Sequence, residues 1–271
     1  SKFFLKIIFY FILIQQSSFY LSAKENKIVS DSMLTNNNNF IAHGGGHING
    51  LIQSNSYEAV KNSISKGYYY IELDLNMSLD NEIVFLSSWD YFKKITNHNY
   101  EKNKPLSYDQ YLKTKISNKY NVLTIEKINK ILDSHKDLNF IFDKFNNFKM
   151  IKNKFSDINR LHIEIFGIKN YIIASYYNFP NKIFNTNLDI LDKLLIKVFN
   201  IKNIAISTRD IEKNQDYLQE LIRNKGNVYA FTSNDKNFIE KNLYKSFTKI
   251  YTDYWNPIIG NCEFNDKCTT Y

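Results

Sequence analysis

At 271 residues, with 44% hydrophobic and 16% aromatic side chains, the chain is long enough to bury a full core and too apolar to be disordered. Its formal charge of +8 would suit a polyanionic partner, but the lysines alternate with Asn, Ile and Tyr along the whole length. That spread excludes a nucleic-acid stripe and is compatible with contact at a membrane surface.

Residues 1–23 order two lysines, Lys2 and Lys6, an apolar run to Ile14 and then small and polar residues to Ala23. This is the pattern of a signal peptide, or of an N-terminal anchor because Leu21 disfavours cleavage after Ala23. Export to the periplasm or the cell exterior is therefore expected, with membrane anchoring as the variant. Residues 24–39, "KENKIVSDSMLTNNNN", show no sustained period and are expected to form a linker, with ordered structure from about Phe40.

From residue 40 to 257, short β-rich runs alternate with stretches of helical spacing. The runs are "NFIAHG", "YYYIELDLN", "EIVFLSS", "LNFIFDK", "RLHIEIF", "NKIFNTN", "IKNIAIST", "NVYAFTSN" and "KIYTDYW". Between the first two, Tyr57, Val60 and Ile64 fall on one helical face before Gly67; later, Ile125, Ile128 and Leu132 do the same behind Thr124, an expected N-cap. Such alternation predicts the α/β class, as a single-domain TIM-type (β/α)8 barrel. Nine runs are one more than that barrel needs, so either one run lies outside it or the closure is irregular. Residues 258–271 form a C-terminal tail whose Cys262 and Cys268, the only cysteines, fit a small disulfide loop in an exported protein.

Four of the 8 glycines fall in "FIAHGGGHING", residues 40–50, around His43 and His47, so backbone there must turn or approach something closely. Glu72 and Asp74, two apart in a strand, project from one face while Ile71, Leu73 and Leu75 project from the other. Two adjacent carboxylates in an apolar strand call for a divalent cation, or else lie at an exposed end beside lysine and water. "LNFIFDK" likewise ends in Asp143 and Lys144. In a barrel His43, Glu72, Asp74 and Asp143 would all reach one mouth.

These residues carry a resemblance. "AHGGG" (42–46), "NSYEA" (55–59), "IELD" (71–74), "YAFTSND" and "IYTDYW" follow in order the pattern of the glycerophosphodiester phosphodiesterases and the related phosphatidylinositol-specific phospholipases C and spider sphingomyelinases D. The resemblance implies metal-dependent cleavage of glycerophosphodiesters or phospholipid headgroups. It implies Glu72, Asp74 and Asp143 as ligands of Ca²⁺ or Mg²⁺, His43 as the group acting on the attacking hydroxyl, and Lys144 as a neutraliser of phosphate charge. It also exposes a departure: "VFLSSWD" sets Ser87 and Ser88 where the family's third strand ends in His-Asp, the acid for the leaving group. His47, with His98 as second choice, is the expected substitute. The alternative is a catalytically impaired barrel that binds phosphate-bearing lipids or glycans. The family's arginine after the first histidine is absent too, with Gly44 in its place.

Overall fold

A computed structural model describes residues 32–97 and 104–269. Eight parallel strands close a barrel: β1 (Phe40–Ala42), β2 (Tyr70–Met77), β4 (Asn139–Asp143), β5 (Leu161–Phe166), β6 (Asn181–Asn185), β7 (Asn203–Ser207), β8 (Asn227–Phe231) and β9 (Lys249–Thr252). Closure is made by β1, which pairs with both β9 and β2. The ninth run is β3 (Ile83–Phe85), antiparallel to the far end of β2 and outside the barrel. Residues 78–82 between β2 and β3 are too few for a parallel crossover, so a hairpin is what the chain can make there.

The helices form where the spacing places them. In α1 (Tyr57–Ser65) Ser56 caps the N-terminus by accepting from the Ala59 amide, and Gly67 follows its end at φ +78°. In α4 (Ile125–Ser134), which follows α2 (Trp89–Thr96) and α3 (Tyr108–Lys113), Thr124 accepts from the Lys127 amide. Later helices are α5 (Phe148–Lys154), α6 (Ile168–Tyr176), α7 (Ile190–Val198), α8 (Thr208–Ile211), α9 (Gln215–Arg223) and α10 (Lys236–Asn242).

Two apolar layers result from the two-residue alternation. Ile71, Leu73 and Leu75 face outward with Phe140 and Phe142 beneath the helices, whereas Ile41, Ile141, Ile183, Ala205 and Tyr229 fill the barrel interior. Each fully buried side chain of this size contributes roughly 1.5–3 kcal/mol.

The expected linker does not extend to residue 39. Leu34 is buried, Trp255 donates to its carbonyl, and Asn39 donates to the Met33 carbonyl. The asparagines that read as linker serve as caps: Asn36 accepts from the Asn38 amide to start a 3₁₀ turn at Asn37–Asn39. The tail is also packed. Asn261–Cys262 pair antiparallel with Trp255–Asn256, and Cys262 and Cys268 form the disulfide. The leader and His98 lie outside the described residues.

Candidate active site

All eight barrel strands end at one mouth, and the acidic residues gather there. Asp74 on β2 is the register partner of Asp143 on β4, with Glu72 one layer deeper. One oxygen from each of Glu72, Asp74 and Asp143 lies within 4.8 Å of the others.

Neighbouring groups fix each carboxylate. Glu72 Oε2 accepts the Gly44 amide at 2.6 Å, while Oε1 is buried without a partner. Asp74 Oδ2 accepts from Asn55 Nδ2 at 3.0 Å, the Asn55 carbonyl oxygen accepts the Asp74 amide at 2.9 Å, and Lys144 Nζ reaches Asp74 Oδ1 at 2.7 Å. Asp143 Oδ1 accepts the Lys144 amide at 2.5 Å. Burial and the Asp74 charge push Glu72 well above the usual carboxylate range, and the same two causes push Asp143 up to about 6.

The glycine cluster has a specific steric cause. Gly44 sits at φ +55°, and a Cβ there would come within 2.6 Å of the Gln53 backbone. Gly46, at φ +82°, would bring one within 2.2 Å of Ser63 Oγ. The chain therefore folds tightly on itself, and what it turns toward the site is the Gly44 amide on Glu72.

His43, the next residue after β1, donates or accepts through Nδ1 with Asp253 Oδ1 at 2.9 Å. Partial burial would lower its pKa, but the hydrogen bond and charge of Asp253, with Glu72 and Asp74 behind, raise it to about 9. The ring lines two adjoining cavities. One of about 230 Å³ contains Glu72, Asp143, Glu164, Phe166 and Tyr251; the other, about 350 Å³, contains Gln53, Arg209 and Asp253.

The expected substitute acid is not in this cluster. His47 is buried, and its Nε2 lies 2.6 Å from both Glu263 Oε2 of the tail and Lys66 Nζ. Its ring packs on Tyr254 and Phe264. Burial and the Lys66 charge hold its pKa below the usual value. Ser88, where the family's Asp stands, caps α2 by accepting from the Tyr91 amide.

Three mouth residues were not singled out from the sequence. Glu164 on β5 is buried, accepts from Tyr251 Oη at 2.9 Å and Asn185 Nδ2 at 2.5 Å, and is raised to about 8 by burial and by the Asp143 charge. Its signal is the one that marks Glu72: an acid alternating with Leu161, Ile163 and Ile165 in an apolar strand. Asp253 lies within the "IYTDYW" block. Arg209 is one of only three arginines in a lysine-rich chain.

No family model matches the sequence, and no curated protein is matched by it. Solved structures do match in fold. A phosphodiesterase from Oleispira antarctica, in complex with the product sn-glycerol-3-phosphate, superposes with a TM-score of 0.64 at 14% identity, covering 81% of this chain and 94% of that one. A glycerophosphodiester phosphodiesterase from Parabacteroides distasonis gives 0.62 at 17% identity over 79% and 92%. One from Thermotoga maritima gives 0.60 at 13% identity over 79% and 93%. The chain shares their barrel.

Proposed function

We propose that this chain is a divalent-metal-dependent phosphodiester hydrolase acting on glycerophosphodiesters or phospholipid headgroups. The observation that carries the reading is the convergence of Glu72, Asp74 and Asp143 within 4.8 Å of one another, in a mouth that His43 also lines. The carboxylates fit a hard cation: all donors are oxygens, and the buried Glu72 Oε1 has no partner without one. When bound, Ca²⁺ or Mg²⁺ supplies Lewis-acid polarisation of a phosphoryl oxygen. The barrel shared with glycerophosphodiester phosphodiesterases, and the ordered sequence blocks, support the same substrate class.

His43 is the group that acts on the attacking hydroxyl. The carboxylate charges that raise its pKa to about 9 include those of Glu72 and Asp74, and a cation held by these acids would offset them and free the ring to accept a proton. Asp253 engages Nδ1, which leaves Nε2 for the cavity the ring lines. Lys144, held on Asp74, places a positive charge beside developing phosphate charge. The leaving group needs a proton, and Glu164, raised to about 8 by burial and by the Asp143 charge, is a mouth acid outside the three metal-ligand candidates that carries one near neutral pH. It lines the same cavity as His43 and takes the part that Ser87 and Ser88 leave open.

One observation favours a second reading. With His47 tied to Glu263 and Ser88 spent as a helix cap, His43 is the one imidazole in the mouth among the described residues. A barrel that binds phosphate-bearing lipids or glycans without turnover follows if Glu164 does not serve as the acid.

Turnover on a panel of glycerophosphodiesters and lysophospholipids, with Glu72→Gln, His43→Ala and Glu164→Gln beside the native chain, separates the two. The enzyme reading expects release of the alcohol and its loss in all three variants. Its failure is a folded, metal-binding protein with no turnover above the His43→Ala background.

A further inference from the structure

The outer surface of the barrel is uneven in a way the site does not explain. Fourteen large apolar residues are exposed among the described residues, and eight of them fall between Phe166 and Phe199. On α7 the exposed set is Ile190, Leu191, Leu194 and Val198, the first at 91% and the last at 67%. At about 100° per residue these four share an arc of about 100°. Ile196 on the opposite side is buried against the barrel. The helix is thus apolar on both faces, whereas a surface helix presents polar residues outward. Others here do so: α4 exposes Glu126, Lys130 and Asp133, and α9 exposes Asp216 and Glu220. Helix α6, which follows the strand adjacent to that preceding α7, adds Ile172 and Tyr176 to the exposed apolar surface.

The charge around this surface is net positive. Residues 166–202 hold Lys169, Lys182, Lys193, Lys197 and Lys202 against only Asp189 and Asp192. Both acids are engaged at the start of α7: Asp189 accepts the Asp192 amide at 2.8 Å, and Asp192 accepts Thr186 Oγ1 at 2.6 Å. Three of the lysines, Lys193, Lys197 and Lys202, line a groove of about 570 Å³ between α7 and α9, with Glu220 as its one acid, together with Ile196, Ile201 and Leu221. The surface also runs up to the mouth. Asn185 ends β6 five residues before Ile190, and its register partner Phe166, 49% exposed, lines the acidic cavity.

We propose that the face formed by α6 and α7 docks on a bilayer surface containing anionic lipid. The apolar arc of α7 would enter the boundary between headgroups and acyl chains, with the lysines among the headgroups. A second copy of the chain fits less well, because apposing two such faces brings the net positive charge of each side together. The docking stands on this surface alone; that it delivers lipid diesters to the mouth at Phe166 rests on the phosphodiesterase reading.

The test uses the full chain with an environment-sensitive fluorophore on Leu191→Cys, and on Asp133→Cys of α4 as the control flank. Vesicles are phosphatidylcholine alone or mixed with phosphatidylglycerol. The expected result is a blue shift of the label at 191 and not at 133, on the anionic vesicles, reversed by salt and weakened about tenfold or more by Ile190→Ser with Leu194→Ser. Contact made elsewhere, such as through residues 1–23, leaves the label at 191 unshifted and overturns the proposal. So does a shift that depends on protein concentration without lipid, which identifies a second copy as the occupant. The label reads contact and not turnover, so a protein inactive on every diester would still give the expected shift, and the two readings fail separately.

Discussion

His43 Nδ1 and Asp253 Oδ1 meet at 2.9 Å across the seam where the first and last barrel strands pair, each residue following a member of the Ala42–Thr252 register pair. Closure of the barrel and orientation of the His43 ring are therefore one geometric event.

Asp253→Asn tests that coupling. An amide can donate to Nδ1 and select the wrong tautomer, so kcat is expected to fall on the order of 10³–10⁴-fold with KM nearly unchanged, as in other His–Asp pairs. A rise in KM at constant kcat would contradict an orienting role.

Metal and stability are linked at Glu72 in a sign-specific way. Without a cation, Glu72 and Asp74 repel and Glu72 is buried at a cost, so Glu72→Gln is expected to leave the metal-free protein as stable or more stable. Ca²⁺ or Mg²⁺ at about 100 times Kd is expected to stabilise the native chain by about 2.7 kcal/mol and the variant by little. Equal stabilisation of both, in thermal unfolding, would place the cation elsewhere.

His47→Ala is a stability variant. Its ring packs on Tyr254 and Phe264 and bonds Glu263, so its loss is expected to cost on the order of 1–3 kcal/mol while kcat stays within about threefold. A hundredfold fall in kcat with the fold intact would return the imidazole to the chemistry.

His162 predicts an acid-sensitive barrel. It is buried in the barrel beside Tyr70, its Nδ1 has no partner, and burial with the Lys249 charge lowers its pKa to about 4. In the unfolded chain it takes up a proton near 6.5, which the folded state refuses until about 4. Stability from this residue is thus present above pH 6.5 and lost as pH falls toward 4, by on the order of 3 kcal/mol. His162→Leu is expected to remove this fall from the variant's own stability curve, so that the variant and native curves diverge between pH 6.5 and 4; parallel curves would refute it.

Much of this was legible because it is local or periodic. Glu72 and Asp74 stand out by alternation, Thr124 by its position before a helical stripe, and the barrel by the succession of runs. The same alternation marks Glu164, whose strand carries none of the motif blocks. The surplus strand β3 was decidable in principle from the short gap at 78–82, which forbids a crossover. What local pattern cannot carry is a partner distant in sequence: Glu263 meets His47 across 216 positions, and the asparagines before Phe40 read as linker until Trp255 is placed over Leu34.

The most direct measurement is a titration of Ca²⁺ and Mg²⁺ into chelator-treated native protein and Glu72→Gln, following hydrolysis of a glycerophosphodiester. The account predicts no turnover before the metal is added, saturable recovery in the native chain and none in the variant. Turnover that persists under chelator, or that recovers equally in Glu72→Gln, would contradict a metal-dependent site built on Glu72, Asp74 and Asp143.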